Sequence, residues 1–261
     1  MAELSREAIE AAVRRKVARP LFASLVGDHL RGWASTRSVY TVVGAMLVPV
    51  RELLGIRPIR ETKERTIGVD GREVQLTFHD LGRALDEIAR MNNTRALEAL
   101  FSPYVVFAGP EFETMRRISR QFLSRGCYHD WLTRASLLRA RVLDEEAAKN
   151  WEMLESARLY LAGIHLLRTT EIDSNLVTLA ERYQAYWLRP FIHRQQAQGE
   201  MAMITQEEAR IVRYDLESLE SRLQEAFEAS TLPEGGGSIS TLDEFLVEMR
   251  LRELAEDKAQ S

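Results

Sequence analysis

The sequence predicts an α+β fold: a front half that mixes strands and helices, then an all-helical back half. Three observations carry this. Apolar runs cut by Gly and Pro, and rich in β-branched residues in places, fill the first 110 residues. An Asp-Gly pair lies between two β-rich arms. Beyond Pro110 the apolar residues keep a helical period almost to the end of the chain.

Taken in order, Leu4 to Arg19 spaces Ile9, Val13 and Val17 four residues apart, which predicts an amphipathic helix. Leu21 to Val26 reads as a short strand ended by Gly27. Val39 to Val48 is β-branched and too compact for a free-standing helix, so it reads as a buried strand stopped by Pro49. Asp70-Gly71 predicts a hairpin. A helix follows from Asp80 with Leu81, Leu85 and Ile88 on one face, and Asn92-Asn93-Thr94 breaks it before the helical turn RALEALF. A short strand is expected at Tyr104 to Phe107, then helices over 111–123, 128–143, 145–169, 175–187, 206–229 and 241–256. LPEGGGSIS reads as a flexible joint. The expected organisation is three parts, at 1–125, 126–230 and 231–261.

At 261 residues, 45% hydrophobic and 28% charged, the composition excludes a mostly disordered or fibrous chain. Cys127 is the one cysteine, which leaves no disulfide framework and no thiolate metal cluster. The first residues are charged and amphipathic, unlike a secretory signal. The longest apolar run, Val39 to Val50, falls short of the roughly 20 residues that span a bilayer. The expectation is a cytoplasmic protein with no membrane partner. Residues 1–60 carry ten Lys/Arg against five Asp/Glu, and residues 205–261 carry six against fourteen. The basic front end can attract phosphates; without interleaved aromatic residues it reads first as a solvated helix face.

The informative stretch is GDHLRGWASTRSVYTVVG, Gly27 to Gly44. Its Gly27, His29, Gly32, Ala34, Ser38, Val42 and Gly44 fall in register with the nucleotidyltransferase core of the DNA polymerase beta superfamily, which the segment resembles. Further pieces, in order, resemble the branch found with bacterial RNA-repair genes: VPVRELLGI, NNTRALEALFSP and AGIHLLRTTEIDSNL. The resemblance spans about residues 20–200. It implies a mixed sheet with helices. It also implies two Mg²⁺ ions, held by two carboxylates on one strand and a third on its neighbour, against a nucleoside triphosphate.

Set against that pattern, the chemical positions are degenerate. Val39 and Thr41 stand at the two carboxylate positions and Gln75 at the third, with Glu73 on the same face. Asp28 replaces the serine of the phosphate turn. At an effective dielectric of about 20, its charge opposes a phosphate 4 Å away by roughly 4 kcal/mol before screening. Arg31 stands where the family has tyrosine. Gly27, Asp28, His29, Arg31 and Ser38 are the positions that would line a nucleotide.

These substitutions predict a pseudoenzyme that needs no cofactor and serves a regulatory or partner-binding role. Its partner would be an active nucleotidyltransferase or another protein, with nucleotide or RNA bound weakly. The alternative is an active enzyme, with Mg²⁺ and NTP as cofactors and ligands relocated to Asp28 and Glu73, moving a nucleotidyl group to an RNA, small-molecule or protein acceptor. Each relocated residue also has a local reading: Asp28 as a helix cap, Asp70 as part of a type I′ turn, Glu73 as a solvated strand residue. A third possibility is that Arg31 and Arg37 bind an anion other than a triphosphate–metal complex.

The remaining candidates have ordinary readings. His29, His79, His129, His165 and His193 show no metal-ligand spacing. His29 faces either a cleft or solvent, and His79 reads as structural. Cys127, near Arg125 and His129, lacks a recognisable nucleophile context. Tyr183, Tyr186 and Trp187 fit core packing. Ile211, Leu216, Leu219, Leu223 and Phe227 form a stripe that meets either the body or a partner helix.

Overall fold

The computed structural model describes residues 4–56, 61–90, 94–144 and 148–260. Asn92, Asn93 and the first residues of the helix expected at 145–169 lie outside them. The order is α1 Arg6–Lys16, β1 Pro20–Val26, α2 Asp28–Arg31, β2 Tyr40–Met46, α3 Val50–Leu53, β3 Thr62–Val69, β4 Arg72–Asp80, α4 Leu81–Ala89, α5 Thr94–Phe101 and β5 Val105–Ala108. Then come α6 Phe112–Arg120, α7 Cys127–Asp144, β6 Ala148–Lys149, α8 Asn150–Thr169, α9 Leu176–Arg182, α10 Arg189–Gln198, β7 Met203–Ile204, α11 Gln206–Ala229 and α12 Ile239–Gln260. The described residues form two compact units. One is drawn from Met1–Val26, Val39–Phe122 and Gly236–Ser261, the other from Gly27–Ser38 and Leu123–Gly235.

The first unit is built on a five-stranded sheet of order β3-β4-β2-β1-β5. It is mixed: β2 and β4 run parallel, while the other neighbours are antiparallel. The period of two sorts the side chains. Tyr40 and Val42 of β2 are buried with Val74, Leu76 and Phe78 of β4, in a cluster that α1 enters through Ile9, Ala12 and Val13. The Asp70-Gly71 turn has positive φ at both residues, 49° and 74°, as a type I′ hairpin requires, and it joins β3 to β4.

β2 ends earlier than its apolar run, because Asp80 intervenes. The Leu47 N–H donates to the Arg19 carbonyl at 3.1 Å and the Val48 N–H to Asp80 Oδ1 at 3.1 Å, which takes the chain off the ladder before Pro49. Asp80 also caps α4 by accepting from the Gly82 N–H at 2.9 Å, and it pairs with Arg250 of α12 at 3.0 Å. Further along α12, Glu253 is buried, pairs with Arg19 and accepts from the Val50 N–H at 3.0 Å.

In the second unit α8 is the axle, with α7, α9, α10 and α11 against it. Every residue from Glu152 to Leu167 is buried, so its polar groups must find partners inside. Ser156 donates to the Ala135 carbonyl at 2.8 Å, and His165 Nδ1 lies 3.1 Å from the Tyr183 hydroxyl. The apolar stripe of α11 lies on this body: Leu216, Leu219 and Leu223 are buried and Phe227 stacks on Tyr128, while Ile211 is exposed. One continuous helix over 175–187 is not formed. Gln184 adopts φ 58°, which ends α9, and Pro190 lies in the first turn of α10, a helix the sequence pattern did not suggest. The glycine-rich joint is tied on this side, with the Arg125 N–H donating to the Pro233 carbonyl at 2.8 Å and Arg125 pairing with Glu234 at 2.7 Å.

Gly44 is where β2 leaves no room for a side chain. A Cβ there would stand 2.1 Å from the Phe22 carbonyl oxygen and 2.7 Å from Phe78 Cε1. Gly44→Ala is therefore expected to destabilise the protein by about 3 kcal/mol through overpacking, read as a lower denaturant midpoint in equilibrium unfolding.

Candidate functional site

The parallel pairing of β2 and β4 brings the degenerate positions together. Thr41 pairs with Gln75, flanked by Tyr40 with Val74 and Val42 with Leu76. Because Tyr40, Val42, Val74 and Leu76 face the core, Thr41, Gln75 and Glu73 share the opposite face. Gln75 and Glu73 are exposed there, and the Gln75 amide donates to the Glu73 carboxylate at 3.3 Å. Val39 is half-buried and precedes the strand by one residue.

Gly27, Asp28, His29, Arg31 and Ser38 belong to the other unit. Gly27 and Gly32 bracket the single turn of α2 with φ of 69° and 86°, values that favour glycine. Gly27 is the residue before the helix, and Asp28 opens it without capping it through its side chain. The Asp28 carboxylate latches the loop instead, accepting from the Trp33 indole N–H at 3.0 Å and from the Ser38 hydroxyl at 2.8 Å. Ser38 is thus engaged with Asp28 and, through its hydroxyl, with the Ser35 N–H at 3.0 Å. Trp33 is buried, the apolar wall of this turn.

Arg31 leads to a constellation that the motif reading did not contain. Its guanidinium lies 3.5 Å from Glu155 of α8 and over the Trp33 ring. Glu155 is buried and receives a two-pronged pair from Arg158, Nε to Oε2 at 2.7 Å and Nη2 to Oε1 at 2.9 Å. Arg134 of α7 approaches the same Oε1 at 4.0 Å. Burial alone would raise the Glu155 pKa. The charges of Arg158 and Arg31, the Arg158 hydrogen bonds and the charge of Arg134 outweigh it and hold the carboxyl at about 2. A sequence signal existed: Glu155 and Arg158 are charged residues three apart on a helix otherwise rich in apolar residues on every side.

A pair of Mg²⁺ ions needs carboxylates, and the residues at these positions do not fit it. Val39 has no ligand atom, Thr41 and Gln75 offer neutral oxygens, and both Asp28 oxygens already accept hydrogen bonds. Among the described residues no three His, Cys, Asp or Glu side chains are grouped to hold a metal ion. The other candidates have local roles. His79 Nδ1 lies 2.9 Å from the Thr62 hydroxyl, and burial lowers its pKa. His165 is lowered by burial in the same way, and His193 is exposed. His129 lies against Tyr128 and Phe227. Cys127 is buried, and burial pushes its thiol up to about 12, far from a reactive thiolate.

A family model described as the RNA repair pathway DNA polymerase beta family matches residues 1–248. The chain belongs to this family. Membership and the mixed sheet agree with the fold that the Gly27–Gly44 segment implies. No curated protein matches the chain. A solved structure, the nucleotidyltransferase-like protein from Exiguobacterium sibiricum 255-15, is similar at 13% identity and a TM-score of 0.33, over 97% of this chain and 80% of that one. Among the described residues of this polymerase beta family member, no helix is long and apolar enough to cross a membrane.

Two expectations follow. Glu155 has its folded pKa depressed from 4.5 to about 2, so its contribution is complete above pH 4.5 and fades as pH falls through 2. Glu155→Gln should cost about 3 kcal/mol near pH 7 and progressively less below pH 4.5, measured by urea unfolding across that range. Asp28→Ala removes the acceptor for Trp33 and Ser38 and should cost about 1–3 kcal/mol, with a change in tryptophan fluorescence reporting the released indole.

Proposed function

We propose that this polymerase beta family protein does not carry out metal-dependent nucleotidyl transfer and acts instead as a regulatory or partner-binding pseudoenzyme. The supporting observation is the register: Thr41 and Gln75, both uncharged, lie side by side on β2 and β4, where the family's chemistry asks for carboxylates. The substitutions fall on the chemical positions, while Gly44 and the apolar face that hold the sheet together are kept. The partner on this reading is an active nucleotidyltransferase or another protein, and nucleotide or RNA binds weakly and without Mg²⁺.

The enzyme reading requires Glu73 to serve as a displaced ligand, and one carboxylate on that face is too few for two Mg²⁺ ions. Calorimetric titration of ATP and GTP, with and without Mg²⁺, separates the two. The natural protein should show no Mg²⁺-dependent binding, and the Val39→Asp/Thr41→Asp/Gln75→Asp triple variant should gain it. Mg²⁺-dependent binding by the natural protein that Glu73→Gln abolishes would establish a relocated site and overturn the proposal.

A further inference from the structure

Within the sheet unit, α4 and α12 meet without filling the space between them. The Asp80–Arg250 pair at 3.0 Å pins the two helices at one end. Gly82 is the close approach there: a Cβ would stand 2.9 Å from Arg250 Nη2 and 3.5 Å from Leu246 Cδ2. Gly82, Leu85 and Ala89 recur at helical spacing on α4, as Leu242 and Leu246 do on α12, so one face of each helix is turned to the other. Between these faces a gap of about 220 Å³ remains, partly open to solvent.

The gap has an apolar floor and a charged rim. Leu85 and Leu242 keep only 3% and 4% of their surface exposed, and Ala89 and Leu246 are half-buried. The charged lining residues Asp86, Arg90 and Asp243 are all exposed. Arg90 Nε donates to Asp86 at 2.8 Å, so those two charges offset each other. The Asp243 carboxylate has no hydrogen bond or ion pair among the described residues. One uncompensated negative charge therefore stands at the mouth of an apolar gap.

We propose that this gap binds a small primary amine on a short apolar body, with the ammonium paired to Asp243. An apolar cavity of about 150 Å³ accepts a benzene ring. The gap between α4 and α12 thus has room for one ring and a short tail that reaches the rim. An exposed ion pair contributes little by itself. Affinity then comes from the apolar body, removed from water against Leu85, Leu242 and Leu246, and Asp243 selects the sign of the charge. The site uses none of Val39, Thr41 or Gln75, so it stands whether or not the transfer chemistry is lost.

The test is a methyl NMR titration of the full chain with 2-phenylethylamine at pH 7. Saturable shifts in the methyl resonances of Leu85, Leu242 and Leu246 are the expected result. The uncharged 2-phenylethanol should bind at least tenfold more weakly, as should methylamine, which lacks the apolar body, and the anionic 3-phenylpropionate should not bind. Asp243→Asn alters an exposed, unpaired group and should leave thermal melting unchanged while weakening amine binding at least tenfold. Ala89→Leu should fill the gap and abolish binding, and Glu7→Gln, an exposed acid on α1, should have no effect. No saturable shift of those methyls with the amine would overturn the proposal. So would amine binding that Asp243→Asn leaves intact, or 3-phenylpropionate binding equal to that of the amine.

Discussion

The parallel ladder between β2 and β4 is the constraint on which the sheet unit depends. Side chains alternate along a strand, so burying Tyr40 and Val42 of β2 against Val74, Leu76 and Phe78 of β4 commits the intervening residues to the other face. A slip of one residue would expose that core and bury Thr41 and Gln75. The same alternation therefore does two jobs: it secures the hydrophobic face, and it sets the degenerate positions next to each other. Gly44 tightens the arrangement, because the Phe22 carbonyl approaches its backbone too closely for any side chain.

Three carboxylates are used as ties in the structure. Asp80 joins the end of β2, the start of α4 and the middle of α12 through three contacts. Asp28 draws Trp33 and Ser38 into one loop, and Glu155 gathers arginines from three helices of its unit. Each is satisfied by two or more donors, which is what makes a buried or half-buried acid tolerable. A carboxylate already committed to two donors is a poor metal ligand, and this weighs on how the site can be read.

Much of the fold was legible because it rests on local rules. The strand pattern, the Asp70-Gly71 hairpin, the helix beginning at Asp80 and the long helices beyond Pro110 all follow from side-chain period and turn chemistry. The pairing of Thr41 with Gln75 was legible too, through the resemblance, which implies a third carboxylate position on the neighbouring strand. The break after α9 was not: Gln184 carries no sequence mark of a left-handed backbone, yet it closes α9 in a Schellman motif, its N–H donating to the Glu181 carbonyl at 3.3 Å and the Ala185 N–H to the Ala180 carbonyl at 2.8 Å. Nor was the latch on Asp28. A cap and a latch use the same residue type, and the choice depends on where Trp33 and Ser38 are brought.

The sequence by itself determined the α+β class, the glycine and apolar skeleton of the sheet, and the absence of carboxylates at Val39, Thr41 and Gln75. Those are properties of residue identity and of periods two and 3.6, which act over a few positions. Tertiary structure alone decided that the Gly27–Ser38 segment joins the helical unit, that the last helix joins the sheet unit, and that Arg31 and Arg134 converge on Glu155. The physical reason is that these outcomes balance desolvation against pairing between residues about 20 to 240 positions apart. No local pattern encodes that balance.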